Sequence, residues 1–312
     1  MTNGTPTTLM QAIKHFSDPE VCLEFVRDLR WPEGVTCPHC GGTEVGFLAT
    51  RRIWKCKNRE CRKQFSVKVG TIFEDSPIGL DKWLAAAWML ANCKNGVSSY
   101  EVMRALGVTQ KTAWFMLHRI RLAMQTGTFT KLAGTVEADE TYVGGQAKYM
   151  HAERKRKTIK GRGTVGKAIV LGFLERKGEV RTEVLTDIKR ATLHGKVREH
   201  IEPGSQVYTD ELASYEGLAP DYTHEAVNHK ETYARGEVHT NNLENYWCLF
   251  KRCIRGTYVS VDPIHLHRYL AEQDFRYNSR KNRDGGRLLE VVSGVAGKRL
   301  TYAELTGKLI GG

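Results

Sequence analysis

Three carboxylates stand in segments that one domain could bring together. Asp139 lies in a run predicted to be a strand, Asp210 ends a later short strand, and Glu244 lies on a predicted helix. Carboxylate oxygens are the ligands that Mg²⁺ prefers, and converging acids repel one another when no cation is present. If the fold gathers these side chains, they therefore predict a divalent-metal site.

The helix that carries Glu244 is predicted from residues 239–252. Its apolar residues recur at the spacing of one helical face: Leu243, Trp247 and Phe250. Thr240 or Asn241 can cap its first turn. Glu244 and Lys251 are close to two turns apart, so both project from one side of the helix. Taken alone, this pattern is equally typical of a surface helix with a solvated charged edge.

Four of the eight cysteines form two pairs at the spacing of metal-binding knuckles: Cys37, Cys40, Cys56 and Cys61. The run 47–54 between the pairs is predicted as strand. Four thiolates complete the tetrahedral coordination of Zn²⁺ in sites of the structural type. His39 in place of one cysteine is the alternative. Zinc binding would supply the folding free energy that the few apolar residues of this segment lack, so we predict a zinc ribbon.

Two segments around residue 107 have the spacing of a helix-turn-helix. Residues 98–106 form a predicted helix, Gly107 makes the turn, and Thr109 caps the next helix. Lys111 and Thr112 lie in the first turn of that second helix, where groove-reading residues sit in such motifs. A helical hairpin that binds nothing has the same pattern. We expect DNA contact because the chain is also basic and because the predicted ribbon is its neighbour in the sequence.

Charge favours a polyanionic partner. The 312 residues contain 47 Lys and Arg against 35 Asp and Glu, a net charge of +12, which indicates nucleic acid. Arg51 and Arg52 stand among the basic residues around the cysteines and suit phosphate contact, or are simply solvated. The basic stretch 151–167 is either a linker or a second nucleic-acid contact.

No apolar run approaches the ~20 residues of a membrane helix, and no apolar leader is evident at the N-terminus. Free cysteines without such a leader favour a reducing compartment. We therefore expect a cytoplasmic protein that makes no membrane contact.

The order of elements predicts a multidomain α+β and α/β protein. After residue 127 the pattern is strand, hairpin, helix, strand, strand and helix, which describes a mixed sheet. Residues 212–218 are predicted as helical, and a C-terminal helix is predicted to begin at Asp262, with Pro263 at its first position. We expect an N-terminal helical segment, a ribbon, a helix-turn-helix domain, a mixed-sheet domain that includes this helix, and a C-terminal tail. Their predicted boundaries are 1–33, 34–70, 78–126, 132–282 and 283–312.

Four motifs carry a resemblance to a known family. They are EADETYVGG at 137–145, VYTD at 207–210, HTNNLE at 239–244 and FRYN at 275–278. Together, in this order and spacing, they resemble the DDE transposases, whose catalytic domain has the ribonuclease H-like fold. More narrowly, the chain resembles bacterial insertion-sequence transposases of the ISXO-like family, which carry an N-terminal zinc ribbon.

This resemblance implies residue roles. Asp139, Asp210 and Glu244 would be the catalytic acids and would hold Mg²⁺ or Mn²⁺, and Lys251 would contact phosphate near the scissile bond. Arg252, His239 and Asn241 would contact DNA. Two alternatives stay open: Asn241 replaces Glu244 as third ligand, and His239 only caps the helix. The other nearby acids, Glu137, Glu140 and Glu211, are interpreted as solvated or as partners of the ligands.

The resemblance implies a protein that binds the terminal inverted repeats of its element, cuts at the ends and joins them to target DNA by two-metal chemistry. Its partner would be double-stranded DNA, and two ends held together imply a homodimer or larger assembly. The alternative functions are a catalytically inactive DNA-binding regulator and, less favoured, a nuclease that acts on RNA–DNA hybrids.

Overall fold

The computed structural model describes residues 5–125, 130–144, 153, 156, 166–210, 212–219, 221–227 and 238–307. The chain divides into two compact units, residues 1–126 with 279–312 and residues 127–278. Glu211, most of the predicted basic stretch 151–167 and the polar segment 228–237 lie outside the described residues.

The first unit begins with two helices and a small three-stranded sheet. Asp18 caps the second helix by accepting a hydrogen bond from the backbone N–H of Glu20. The strands pair antiparallel in the order β1-β2-β3. The bounds are α1 Leu9–His15, α2 Pro19–Arg30, β1 Val45–Leu48, β2 Ile53–Cys56 and β3 Gln64–Phe65.

The rest of the first unit is helical, and local capping explains where its central helices begin. Ser98 and Glu101 form a reciprocal capping box, Gly107 adopts the left-handed conformation that ends this helix, and Thr109 caps the next. The bounds are α3 Leu80–Asn92, α4 Ser99–Leu106 and α5 Gln110–Met124. The predicted helix-turn-helix spacing is present.

The C-terminal segment completes this unit. It contains two helices, which are bounded as α9 Asp284–Ser293 and α10 Tyr302–Thr306. Helix α9 packs mainly against α3. The buried guanidinium of Arg119 on α5 donates to the carbonyls of Ile72 and Leu300, which ties chain segments far apart in sequence. The tail, for which the sequence indicates no role, thus packs against α3 and α5.

The second unit is a five-stranded mixed sheet in the order β6-β5-β4-β7-β8. Strands β6, β5 and β4 are antiparallel, whereas β4, β7 and β8 are parallel. The strand bounds are β4 Thr135–Val143, β5 Ala168–Glu175, β6 Val180–Leu185, β7 Gln206–Asp210 and β8 Thr223–Val227. Together with the helices and the four-cysteine ribbon of the first unit, this sheet confirms the predicted fold class.

Three α-helices of this unit are α6 Arg190–His200, α7 Asn241–Cys253 and α8 Leu266–Asn278, with a π-helical turn at Ile254–Tyr258 after α7. Side chains alternate between the two faces of β4. Val136 and Ala138 join an apolar cluster with α6, whereas Val143 joins one that contains Leu243 and Trp247 of α7. Helix α7 therefore covers the face of the sheet to which Asp139 belongs.

Some local predictions differ from the structure. The stretch 212–218 forms only a short 3₁₀ turn at Ala213–Tyr215 rather than a helix, and Pro263–His265 forms a 3₁₀ turn before α8 begins at Leu266. Within the described residues, every helix is too short or too polar to cross a bilayer.

Candidate active site

The two aspartates lie just beyond the point where two parallel strands stop pairing. The ladder between β4 and β7 runs from Thr135 opposite Gln206 to Glu137 opposite Tyr208. Asp139 follows two residues later on β4, and Asp210 is the last residue of β7. Ligand-binding sites of α/β sheets form at the carboxyl ends of the parallel strands, and both acids lie at this end of β4 and β7.

A third carboxylate joins them, and it is Glu140. Asp139, Glu140 and Asp210 each offer an oxygen atom, and these three atoms lie within 4.8 Å of one another. Glu244 is outside this group, although its charge acts on Asp139 and it stands on the covering helix α7. From the sequence, Glu140 is interpreted as solvated or as a partner of the ligands, and the alternation of side chains along a strand would place it on the face opposite Asp139. At the end of the ladder this alternation did not keep the two carboxylates apart.

The electrostatics of this acid group favour a bound cation. Burial raises the pKa of Asp139 to about 7, and the charges of Asp210 and Glu244 add to the shift. Burial likewise raises the pKa of Glu140 to about 7, with contributions from the charges of Asp210 and Asp139. Burial and mutual repulsion therefore disfavour the charged forms of these two acids unless a counter-charge is nearby. Hard carboxylate oxygens at this separation fit Mg²⁺ or Mn²⁺.

Glu137 has a different task from the acid group. It is completely buried, and its carboxylate accepts hydrogen bonds from the backbone N–H groups of Asn242 and Leu243 at 3.0 and 3.1 Å. It also accepts from the Asn242 side chain at 2.7 Å and from Arg176 at 3.0 Å. Glu137 thus caps α7 from the neighbouring strand, so it is neither solvated nor free to bind metal.

This cap corrects the prediction for the start of α7. Thr240 precedes the helix but makes no side-chain capping bond, and Asn241 is exposed. The negative carboxylate of Glu137 also complements the positive end of the helix dipole. No pattern within residues 239–252 could reveal this partner, since it lies more than a hundred positions earlier.

The predicted DNA-contacting residues of the second unit lie on α7 or directly before it. Lys251 is half-buried; burial lowers its pKa, while the charge of Asp139 raises it, so the two side chains are near enough to interact. Arg252 is exposed on the next position of α7. The ring of His239 lies within 3.4 Å of Glu137 and contacts Arg176, which places it beside the helix cap.

The predicted DNA-contacting residues of the first unit have protein partners. Lys111 lies over the ring of Tyr302 at 4.6 Å, and the hydroxyl of Thr112 is 2.9 Å from that of Thr109. Arg51 donates to Gln64 at 3.2 Å, and Arg52 pairs with Glu20. Both arginines and Lys111 are exposed.

The four cysteines of the ribbon lie together. The sulfur atoms of all four lie within 4.8 Å of one another: Cys37, Cys40, Cys56 and Cys61. The sulfurs of Cys37 and Cys61 are 3.8 Å apart, and those of Cys40 and Cys56 are 3.7 Å apart. His39 is outside this group. Four converging thiols without disulfides suit tetrahedral Zn²⁺.

The chain combines a four-cysteine ribbon with a mixed sheet that carries an acid group at the carboxyl ends of its parallel strands. This is the organisation of an insertion-sequence transposase. Comparison with family models agrees: residues 131–278 match the ISXO2-like transposase domain, and residues 17–64 match the transposase zinc-ribbon domain. The chain belongs to this ISXO2-like transposase family.

Two relatives are similar over much of their own length. An uncharacterized protein in the transposable element ISH50 of Halobacterium salinarum is 28% identical over 273 residues, which span 82% of this chain and 90% of the relative. An uncharacterized transposase-like protein of Haemophilus influenzae is 32% identical over 104 residues, 33% of this chain and 84% of the relative.

Proposed function

We propose that this protein binds the terminal inverted repeats of its own element, cuts DNA at the element ends and joins the freed 3′ ends to target DNA. The observation that carries the proposal is the acid group of Asp139, Glu140 and Asp210, gathered within 4.8 Å inside the matched transposase domain. We further propose that it acts in the cytoplasm, on DNA of the bacterial nucleoid.

Asp139 and Asp210 would hold Mg²⁺ or Mn²⁺, with Glu244 as the third acid. Bound ions would supply the Lewis acidity that activates an attacking hydroxyl group and stabilises the leaving 3′ oxygen. Lys251, which lies close enough to Asp139 to interact with its charge, would hold a phosphate of the cleaved strand. Arg252, His239 and Asn241 would contact the same DNA end.

The direct test is strand transfer with end-bearing duplexes and Mg²⁺. Asp139→Asn should lower joining by about 1000-fold or more, since it removes several kcal/mol of metal-dependent stabilisation, while binding to the ends stays intact. Asp221→Asn is the matched control, because Asp221 pairs with Arg198 outside the acid group. Unchanged joining by Asp139→Asn would refute the proposal. A wild-type chain that binds the ends but neither binds divalent metal nor joins DNA would be the regulator.

The third acid can be identified by comparing Glu244→Gln, Glu140→Gln and Asn241→Ala in the same assay. We expect Glu244→Gln to cost nearly as much joining as Asp139→Asn. Glu140→Gln should cost less, because Glu140 reaches the group from the other face of the strand. If Glu140→Gln lowers joining more than Glu244→Gln does, Glu140 is the third metal ligand. If Asn241→Ala lowers joining most, the third ligand is the side-chain amide of Asn241.

End binding would come from the segments predicted as ribbon, 34–70, and helix-turn-helix, 78–126. Arg51, Arg52, Lys111 and Thr112 would contact DNA there. An arginine that contacts phosphate contributes about one unit to the salt dependence of binding. Arg51→Ala should lower that slope more than Arg52→Ala, because Arg52 already pairs with Glu20. Equal slopes for wild type and Arg51→Ala would remove Arg51 from the interface.

Two ends must be held together during joining, so we propose a homodimer or larger assembly on DNA. Light scattering of the chain with end-bearing duplexes should show two chains and two duplexes in one particle. If particles that hold a single chain and a single duplex catalyse joining, the proposed assembly is contradicted.

A further inference from the structure

We propose that Trp247 positions Asp139 for metal binding, and that Gly172 is required to admit the indole ring that does so. This inference rests on the proposed function, because it concerns the same acid group. It assigns tasks to two residues that hold no metal and that would otherwise be read as ordinary core.

The contact itself is a hydrogen bond from helix to strand. The indole Nε1 of Trp247 on α7 donates to Oδ2 of Asp139 on β4 at 3.0 Å. Trp247 is only 4% exposed, so water does not compete for this bond. A donor that holds one carboxylate oxygen restricts rotation of the whole carboxylate, and metal-binding carboxylates are commonly oriented by such neighbours.

Gly172 makes this geometry possible. It is the direct cross-strand partner of Asp139 in the antiparallel pair β4 and β5. A Cβ atom at this position would lie 2.6 Å from Cζ2 and 2.8 Å from Cη2 of Trp247, and 3.0 Å from Cδ1 of Leu243. The ring therefore occupies the space where any other residue would carry its side chain, directly beside Asp139.

A second contact holds the same helix against the same strand. Glu137, two residues before Asp139 and on the same face of β4, accepts hydrogen bonds from the N–H groups of Asn242 and Leu243 at the start of α7. The strand thus binds the helix at its first turn through Glu137 and one turn later through Asp139 and Trp247. Glu244 lies on α7 between these two attachments, so the orientation of Asp139 and the placement of Glu244 are set together.

The alternative explanation is purely structural. A buried indole N–H needs a hydrogen-bond acceptor, and Asp139 would only provide that acceptor for Trp247. The two explanations differ in what happens when the donor is removed. If Trp247 only needs a partner, its loss costs stability and leaves metal affinity unchanged. If it orients Asp139, its loss weakens metal binding in a chain that remains folded.

The test measures Mn²⁺ binding to the full-length, zinc-loaded chain by titration calorimetry at one pH, with Asp139→Asn to identify the signal of the acid group. Trp247→Phe keeps an aromatic ring and removes the donor, and it should weaken Mn²⁺ binding about 10-fold or more. Phe250→Leu is the matched control, because Phe250 is buried in the same helix and the same apolar cluster. It should retain wild-type affinity despite its loss of core volume.

Gly172→Ala tests the same geometry without touching the indole, and it should also weaken Mn²⁺ binding about 10-fold or more. Gly195→Ala is its control, because the added methyl group there meets no atom within 4 Å apart from its chain neighbours and the backbone of its own helix. In the Trp247→Phe background, Gly172→Ala should add less further loss than in the wild type, since Cζ2 and Cη2 are absent and only the 3.0 Å contact with Leu243 remains. Melting temperature and end binding, measured for every variant, report folding.

The outcomes separate this inference from the proposed function. Wild-type Mn²⁺ affinity in folded Trp247→Phe and Gly172→Ala, or an equal loss in Phe250→Leu, overturns the positioning role and leaves the transposase proposal standing. If Trp247→Phe does not fold, Gly172→Ala and its control decide. If the wild-type chain itself shows no Mn²⁺ binding that Asp139→Asn removes, both proposals fail.

Discussion

Two groups of candidate metal ligands among the described residues, the four cysteines and the acid group, are built in opposite ways. The four cysteines lie between residues 37 and 61, on and around one small antiparallel sheet. The acid group draws Asp139 and Glu140 from β4 and Asp210 from a later strand, and α7 with Glu244 follows only after a further segment. One group is local in sequence, and the other exists only after the sheet has formed.

The starts of two helices show the same contrast. Helix α5 is capped by Thr109, the residue directly before it, whose hydroxyl accepts from the backbone N–H of Thr112. Helix α7 is capped by Glu137, which belongs to a strand. Local devices set where α4 and α5 begin, whereas long-range contacts between strand and helix place the acids. Mutations should therefore act differently in the two regions.

The largest effect is expected in the ribbon. Cys56→Ser removes one of four thiolates, and structural zinc binding is worth about 10–16 kcal/mol in small zinc peptides. Zinc content should fall to near zero, and limited proteolysis should cut within residues 34–70. Cys93→Ser, which alters an exposed cysteine outside the group, should retain zinc. Because the acids belong to the other unit, their Mn²⁺ binding should persist, and its loss would show that the two ligand groups depend on each other.

The next effect is expected at the cap of α7. Glu137→Gln removes a buried charge that accepts from two backbone N–H groups and pairs with Arg176, at a cost of about 3–5 kcal/mol. Hydrogen exchange should rise in the first turn of α7, and the free energy of unfolding should fall. Glu225→Gln, an exposed acid on β8, should change neither. A loss below about 1 kcal/mol would mean that local capping suffices.

A pH effect follows from Asp274 on α8, which accepts hydrogen bonds from Thr182 and Tyr246. Burial raises its pKa to about 7 in the folded chain, against an unfolded value of 3.8. The folded state then binds more protons between these values, so stability should decrease by roughly 2–4 kcal/mol from pH 4 to pH 7 and level off above.

Denaturant unfolding at several pH values, without added divalent metal, measures this slope. Asp274→Asn should flatten it but not abolish it, because Asp139 and Glu140 also have pKa values raised to about 7. An unchanged slope in Asp274→Asn would show that Asp274 does not titrate in this range.

The smallest effect is expected at the local cap of α5. Thr109→Ala should lower stability by about 1 kcal/mol, the usual cost of losing a capping hydroxyl. Thermal unfolding measures it, and Thr109→Ser, which keeps the hydroxyl, should restore most of the loss. A loss as large as that of Glu137→Gln would erase the difference between local and long-range caps.

Much of the first unit could be predicted because its signals are short. The capping box at Ser98 and Glu101, the turn at Gly107 and the cysteine spacings each report on contacts within a few residues. The stability of each of these local structures depends on residues that are close in the sequence, so a sequence pattern is enough to locate them. The packing of α9 against α3 had no such signal, since its partner lies about two hundred positions away.

The candidate site was predictable in part. The placement of Asp139 within one strand and of Asp210 at the end of another followed from the pattern of strands, and the structure brings these two side chains together. The proximity of Glu140, the cap by Glu137 and the bond from Trp247 to Asp139 did not follow. Alternation assigns side chains to faces of an ideal strand, but it says nothing about where a ladder ends or which helix covers it.

The sequence alone determined the four cysteines of the ribbon, the basic charge, the fold class and most of the local helix starts, because these depend on residue type and short spacing. Only the tertiary structure decided which carboxylates converge, what caps α7 and why a glycine faces Asp139. Those contacts join residues brought together by the closing of the sheet, and their geometry is a property of packing that no single segment contains.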